Sequence, residues 1–172
     1  MIYNFSTSIE RIQHSLSAKS LPIPVNIALE LIAERPDRRV ICTIGEIQPF
    51  HCALLPDGNG GYHIMLNKKR LQQISQSKQI EVSLKVDHSK FGMPLPEAFE
   101  AVLESDPQGR KHFMNLSPGK QRSLIHLVGK VKSENLRIEK SLIITTHLKR
   151  LKGDLDYKLL NQDFRKGYQE DI

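Results

Sequence analysis

Hydrophobic positions in the first half of the chain recur at every second residue. Between residues 79 and 87, Ile80, Val82, Leu84 and Val86 alternate with polar residues. This alternation is the pattern of a strand with one buried face. Shorter β-branched and aromatic runs predict further strands over residues 2–9, 38–44, 49–55 and 62–66.

Turn residues and two short helical patterns separate these strands. Gly45 predicts a tight turn or bulge, and the segment "PDGNGG" at 56–61 predicts a hairpin, because glycine adopts positive φ at little cost. A helix is predicted over residues 25–34, with Pro24 in its first turn, where a missing N–H leaves no hydrogen bond unmade. A second short helix is predicted over residues 67–75.

From Met93 onward the period of the hydrophobic residues becomes that of a helix. The predicted helices begin at Pro96, Asp106–Pro107, Ser117–Pro118, Ser133 and Asp156. In the longest, over 133–152, one apolar stripe is predicted to contain Leu136, Ile143, His147 and Leu151. Gly153 is its predicted C-terminal stop.

Five or six strands followed by three or four helices indicate an α+β fold. We expect a small closed or half-open β-barrel over residues 1–92 and a helical region over residues 93–172. The two parts are predicted to be separate domains.

Composition and charge narrow the class of protein. Of the 172 residues, 39% are hydrophobic and 26% charged, as expected for a chain that buries a core. No apolar run is long enough to cross a bilayer, and the first residues lack the pattern of a signal peptide. Cys42 and Cys52 lie in strand-like runs and are predicted to be reduced thiols. We therefore expect a cytoplasmic protein without membrane insertion.

Asp87, His88 and Ser89 form the most conspicuous polar cluster, directly after the strand that ends near residue 87. Neighbouring residues on a strand point to opposite faces, so adjacency alone does not make a catalytic relay. We interpret Asp87 and Ser89 as side chains that bond free backbone amides in a turn. A small-substrate pocket holding Asp87 and His88 where the barrel meets the helices is the alternative.

The histidines and cysteines show no spacing typical of a metal site. His51 and His63 flank the predicted hairpin, and we expect them to be cross-strand neighbours. The glycine-rich segment 56–61 precedes a strand rather than a helix, so it does not predict a phosphate-binding loop. No metal or other cofactor is predicted.

Positive charge is concentrated in residues 110–152, which contain eleven Lys and Arg residues but only Glu134 and Glu139 as acids. The predicted anion-binding or nucleic-acid-binding residues are Lys120, Arg122, Lys130, Lys132, Arg137 and Lys140. They flank an apolar stripe of Leu124, Ile125, Leu127, Val128 and Val131. No aromatic residues are interleaved with them, which argues against stacking on single-stranded bases.

The segment "LSPGKQRSLIHLV" at 116–128, together with the strands and turns before it, resembles the bacterial YdeI/OmpD-associated, or bacteriocin-protection, family. The resemblance covers roughly residues 1–152 and implies a double-split β-barrel for the first half. Much of that family continues with an arginine-rich segment like "AKKPETRARRI". This chain has "GKVKSENLRIEK", which keeps Lys130, Arg137 and Ile138 but lacks the adjacent arginine pair.

Three functional hypotheses follow. The first is a non-enzymatic module that binds a ligand, a protein partner or a second copy of the chain. The second is nucleic-acid binding through the basic helices of residues 110–152. The third is an enzyme that acts on a small anionic substrate at the junction of the two predicted domains.

Overall fold

The computed structural model of the protein describes residues 1–12, 18–74 and 79–168. The chain divides into two compact units, Met1–Gly92 and Met93–Ile172. The described part of the first unit contains all the strands and two helices, and that of the second contains helices without strands. The predicted α+β class is therefore confirmed.

The strands are β1 (Ile2–Thr7), β2 (Glu10–Arg11), β3 (Lys19–Ile23), β4 (Arg39–Ile44), β5 (Phe50–Ala53), β6 (Leu55–Pro56), β7 (Tyr62–Leu66) and β8 (Ile80–Val86). The helices are α1 (Val25–Glu34), α2 (Lys68–Gln73), α3 (Glu97–Ser105), α4 (Pro107–Met114), α5 (Pro118–Gly129), α6 (Glu134–Arg150) and α7 (Tyr157–Lys166). The described residues thus contain more strands than the five or six predicted, and a helix at each of the seven positions where the pattern predicted one. The predicted end of the short second helix, at residue 75, lies outside the described residues.

The first sheet is antiparallel, with the strand order β1-β8-β4-β5. Strand β8 lies inside this sheet, and its residues Ile80, Val82, Leu84 and Val86 are all buried, as their alternation predicted. The pairing places Cys42 of β4 between Leu84 of β8 and Phe50 of β5. These side chains therefore share the face of the sheet that is turned to the core.

The second sheet has the order β2-β3-β7-β6. Strands β6 and β7 form the predicted hairpin, with Pro56 opposite Tyr62. Strand β3 was not predicted, because Pro22 lies within it and proline is rare inside sheets. Strand β2 pairs only with Lys19 and Ser20, so Pro22 lies beyond the part of β3 that is paired on both sides. A missing N–H is tolerated at such a position.

One hydrophobic core joins the two sheets to α1. Leu21 and Ile64 of the second sheet, Val40 and Leu84 of the first, and Leu31 of α1 are all at most 1% exposed. Helix α1 begins and ends where the sequence predicted. Because Pro24 is the N-cap residue rather than a residue of the first turn, its carbonyl accepts the hydrogen bond from the Ala28 N–H.

The described strands form two separate hydrogen-bonded sheets, and among these residues no closed barrel is formed. "Barrel-like" therefore applies to the first unit only as a loose description. The double-split barrel stays a prediction.

In the second unit the predicted capping residues stand at the helix starts. Asp106 Oδ1 accepts from the Gly109 N–H at 2.9 Å, and Asp156 Oδ1 accepts from the Leu159 N–H at 3.0 Å. Ser117 and Ser133 are the N-cap residues of α5 and α6. Since a cap satisfies N–H groups that the helix itself leaves free, these residues fix where α4 to α7 begin.

Helix α6 follows the predicted apolar stripe only in part. Ile143 and His147 are buried, whereas Leu136 is 48% exposed, so the prediction for Leu136 is wrong. Leu136 lies in the first turn of α6, and the buried residues of this helix begin only at Ser141. Gly153 adopts a φ of 99°, and its N–H donates to the carbonyl of Leu148, as expected of a helix stop.

No described helix combines the length and the apolar character needed to cross a lipid bilayer.

Candidate functional site

Asp87 lies directly after β8 and is completely buried. Its Oδ2 is 2.6 Å from Nδ1 of His51, and its Oδ1 accepts from the Ser89 N–H at 2.9 Å. Because an ionised carboxylate can only accept, the Nδ1–H of His51 is the donor. Burial by itself would raise the pKa of Asp87, but the hydrogen bonds from His51 and Ser89 outweigh it and lower this pKa.

Strand register brings this pair together. His51 of β5 lies opposite Ile41 of β4, and Ile41 lies opposite Lys85 of β8. Asp87 is two residues beyond Lys85, so it shares a face of the first sheet with His51. The imidazole therefore reaches across β4 to the carboxylate.

The sequence-adjacent residues His88 and Ser89 have different surroundings. The His88 side chain is 75% exposed, and its Nε2 lies 3.2 Å from Oε1 of Glu34. The predicted turn hydrogen bond of Asp87 is confirmed. The prediction for the Ser89 hydroxyl is wrong, because among the described residues this buried oxygen bonds no backbone amide. Ser89 uses its backbone instead, since its carbonyl accepts from Arg35 at 3.1 Å.

His51 and His63 are not cross-strand neighbours. His51 pairs with Ile41 in the first sheet, whereas His63 pairs with Pro22 and Leu55 in the second. The prediction failed because the run 49–55 is divided between β5 and β6, which belong to different sheets. The described residues include no cluster of three or more His, Cys, Asp or Glu side chains that could hold a metal ion.

The predicted basic set has members in different environments. Lys120, Lys130 and Lys132 are exposed, and Arg122 is half-buried. Arg137 is bound within the unit: its Nε donates to the Val131 carbonyl at 2.7 Å, and its Nη1 lies 3.3 Å from Glu134 Oε2. Arg137 therefore closes the connection between α5 and α6 as well as carrying charge.

Lys140 is the second member of that set with an internal partner. Its Nζ lies 4.3 Å from the centre of the Phe164 ring. Partial burial lowers the pKa of Lys140, and the positive charge of Lys130 lowers it further. These two ammonium groups of the predicted set are thus close enough to repel each other. Of the apolar stripe predicted beside them, Leu124, Ile125 and Val128 are buried, and Leu127 and Val131 are half-buried.

A second histidine–carboxylate pair is found in the second unit. Nδ1 of the buried His147 lies 2.7 Å from Oδ2 of Asp163, which also accepts from Arg150 at 2.7 Å. Burial alone would raise the pKa of Asp163, but these two donors lower it. The pair links α6 to α7. It borders a small cavity of about 160 Å³.

The first unit contains a large concave feature, a cleft of about 1020 Å³ between the β4–β5 turn, α2 and the start of β8. Its apolar floor contains Ile44, Phe50, Ile74 and Ile80, each at most 7% exposed. Polar residues surround this floor, among them Glu46, Lys69, Arg70, Gln73 and Glu81. We call this feature the β4–β5 cleft.

No local sequence pattern predicted this cleft. Its residues come from three separate stretches, around 44–50, 67–74 and 79–81, and none of them carries a known binding motif. Gly45, with a φ of 51°, was predicted as a turn residue and does form the turn at the edge of the cleft. Only the pairing of β4 with β5 and β8 brings these stretches together.

Two protein-family models match the chain. A domain of unknown function (DUF1905) matches residues 5–95, and the family described as bacteriocin-protection, YdeI or OmpD-associated matches residues 93–150. The chain belongs to the YdeI/OmpD-associated family. Its first unit carries the family's domain of unknown function, as the resemblance of residues 116–128 and of the preceding strands implied. No match was found among the curated proteins or among the solved structures.

Proposed function

We propose that this YdeI/OmpD-associated protein is a non-enzymatic binding module that holds a small organic molecule in the β4–β5 cleft. The observation that carries the proposal is the combination of a large concave volume with a floor of four buried apolar side chains and a polar rim. Small-molecule sites in proteins typically have volumes of about 300–1,000 Å³ and this kind of lining.

The apolar floor supports a ligand that has an apolar part. Ile44, Phe50, Ile74 and Ile80 belong to the buried core of the unit, so the floor is already formed before any ligand binds. A preformed apolar surface binds without the cost of ordering its side chains. We therefore expect flat or compact apolar groups to bind there and charged or polar groups to lie at the rim.

The partners of the candidate catalytic residues favour binding over catalysis. The Asp87 carboxylate is engaged by His51 and Ser89, and His88 is on the surface beside Glu34. A general base must face the proton that it removes. The buried Asp87 is accounted for by its role in holding the end of β8, which supports the non-enzymatic interpretation.

Binding can be tested with 2-naphthamide, an uncharged aromatic probe, added to the isotope-labelled protein while amide chemical shifts are recorded. We expect the largest shifts at residues 44–50 and 67–74. Gln73→Trp, which places a large ring at the wall of the cleft, should weaken binding about tenfold or more, because the ring competes with the probe for the same part of the cleft. Gln72→Trp is the matched control, since Gln72 is an exposed residue of α2 that does not line the cleft. Equal affinities of the two variants would contradict the proposal.

Nucleic-acid binding by the basic helices is the second candidate. The repulsion between Lys130 and Lys140 favours it, because two positive charges act on each other there, and Lys120 and Lys132 are exposed as well. Such a group of ammonium ions attracts phosphates without reading bases. The internal contacts of Arg137 and Lys140 reduce the number of free cations and weigh against it.

We also propose a cytoplasmic location. Cys42 and Cys52 are free thiols. A hydrogen bond with Cys42 and burial raise the pKa of the Cys52 thiol, which keeps it protonated and unreactive. Unreactive, reduced cysteines suit a reducing compartment.

A further inference from the structure

Arg70 lines the β4–β5 cleft, and its side chain lies on an aromatic ring. The carbon of its guanidinium group lies 3.8 Å above the centre of the Phe50 ring, which is 7% exposed. The Asn67 side chain caps α2 by accepting from the backbone N–H of Arg70 at 2.9 Å. Backbone and side chain of Arg70 are thus both held, so the planar guanidinium has a fixed orientation at the wall of the cleft.

This guanidinium has no acidic partner among the described residues. In the part of the chain that the structure describes, the arginines paired with an acid include Arg35, Arg137 and Arg150, and the contact found for the Arg70 side chain is the ring of Phe50. Arg70 is only half-exposed. A partly desolvated cation without a counter-ion is unfavourable, and an incoming anion would remove that cost.

The two acidic residues that line the cleft, Glu46 and Glu81, do not pair with Arg70 as its counter-ion. Glu81 accepts a hydrogen bond from the Ser6 hydroxyl, and Glu46 is exposed. Lys69 adds a second positive charge to the lining. Arg70 is therefore the half-buried charged group of the cleft, and its charge is positive. Water screens the carboxylate of the exposed Glu46 more strongly than it screens the guanidinium of Arg70.

We propose that the β4–β5 cleft selects organic anions in which a carboxylate or a similar planar anionic group is joined to a flat apolar group. The anionic group binds the fork of Arg70 through two parallel N–H···O bonds, which suits a guanidinium better than an ammonium. The apolar group lies on the floor formed by Ile44, Ile74 and Ile80. This assignment rests on the proposed binding function and adds its chemical selectivity.

The test uses two probes of nearly the same shape, 2-naphthoate and uncharged 2-naphthamide, with the full chain and amide chemical shifts as the readout. We expect 2-naphthoate to bind about tenfold more tightly than 2-naphthamide, because hydrogen bonds between charged groups are the stronger ones. Arg70→Gln should reduce this preference to about threefold or less, because it weakens the binding of 2-naphthoate more than that of 2-naphthamide. Arg70→Lys should restore only part of it.

Lys68→Gln is the matched control, because Lys68 is an exposed neighbour on α2 that does not line the cleft. It removes the same charge and should leave the preference unchanged. If both probes bind equally well, or if Lys68→Gln and Arg70→Gln have equal effects, the selectivity is overturned and the binding function stands. If neither probe shifts the cleft amides, both the selectivity and the binding function are overturned.

Discussion

His51 and Asp87 are 36 residues apart in the sequence, yet Nδ1 of His51 lies 2.6 Å from Oδ2 of Asp87. The two residues come from β5 and from the end of β8, which are separated in the sheet by β4. The Asp87 side chain is 1% exposed, whereas that of His51 is 26% exposed. The contact therefore ties the end of an inner strand to the edge of the sheet.

Asp87→Asn should lower the free energy of unfolding by about 1–3 kcal/mol, because it weakens a buried charge-assisted hydrogen bond and leaves polar groups poorly paired. Urea denaturation at pH 7 measures the change. Glu10→Gln is the control, since it removes a carboxylate charge from an exposed strand position. A midpoint for Asp87→Asn that matches the one for Glu10→Gln would show that the His51–Asp87 contact adds nothing to stability.

Acid should destabilise the protein through Asp163. Its pKa is lowered in the folded state, so the ionised form favours folding. This stabilisation is complete above the ordinary Asp pKa and is lost as the pH falls through the lower value of the folded protein, that is, below about pH 4. Asp163→Asn should therefore be less stable than the parent chain at pH 7, and the difference should shrink by pH 3. Urea midpoints recorded from pH 7 to pH 3 check this. A difference between the urea midpoints of the two proteins that stays constant from pH 7 to pH 3 would contradict the prediction.

Gly153→Ala should destabilise the second unit by about 1 kcal/mol or more, since alanine is strained at positive φ. Gly153 has a φ of 99°, and an added Cβ would lie 2.9 Å from Nδ1 of His112. Gly119→Ala is the matched change, because Gly119 is in the first turn of α5 and a Cβ there meets nothing within 4 Å. Thermal melts should place Gly119→Ala at or above the parent chain and Gly153→Ala below it. The reverse order would contradict this account of the helix stop.

Nucleic-acid binding by the basic helices of residues 110–152 should depend steeply on salt. A plot of the logarithm of affinity against the logarithm of salt concentration should fall with a slope of about 0.9 for each phosphate contact on duplex DNA. Replacing the exposed Lys120, Lys130 and Lys132 together by Gln should reduce that slope. Arg137 is left in place, because its hydrogen bond to the Val131 carbonyl supports the fold. Filter binding at several salt concentrations gives the slopes.

The control for this experiment is the triple change of Lys19, Lys68 and Lys85 to Gln in the first unit, which removes the same charge from exposed positions. It should leave most of the slope intact. If the parent chain at micromolar concentration retains no DNA at low salt, the basic residues serve solubility. Equal slopes for the two triple variants would mean that the attraction comes from net charge alone.

The sequence by itself determined those strands and helix starts that depend only on neighbouring residues. The alternation of Ile80 to Val86 predicted β8, and the caps at Asp106 and Asp156 predicted the starts of α4 and α7. Period, capping and turn chemistry act within a few residues, so they can be recognised without knowledge of the fold. The same holds for the family, which a contiguous segment identifies.

Tertiary structure decided the features that depend on strand pairing and helix packing. Pro22 argued against β3, yet the pairing with β7 and the short length of β2 made its place acceptable. Leu136 fitted the apolar stripe, but packing of α6 begins only at Ser141. The approach of Arg70 to Phe50, and of His51 to Asp87, depends on which strands are neighbours and in what register. Such choices are settled by burying one common core, which no short stretch of sequence encodes.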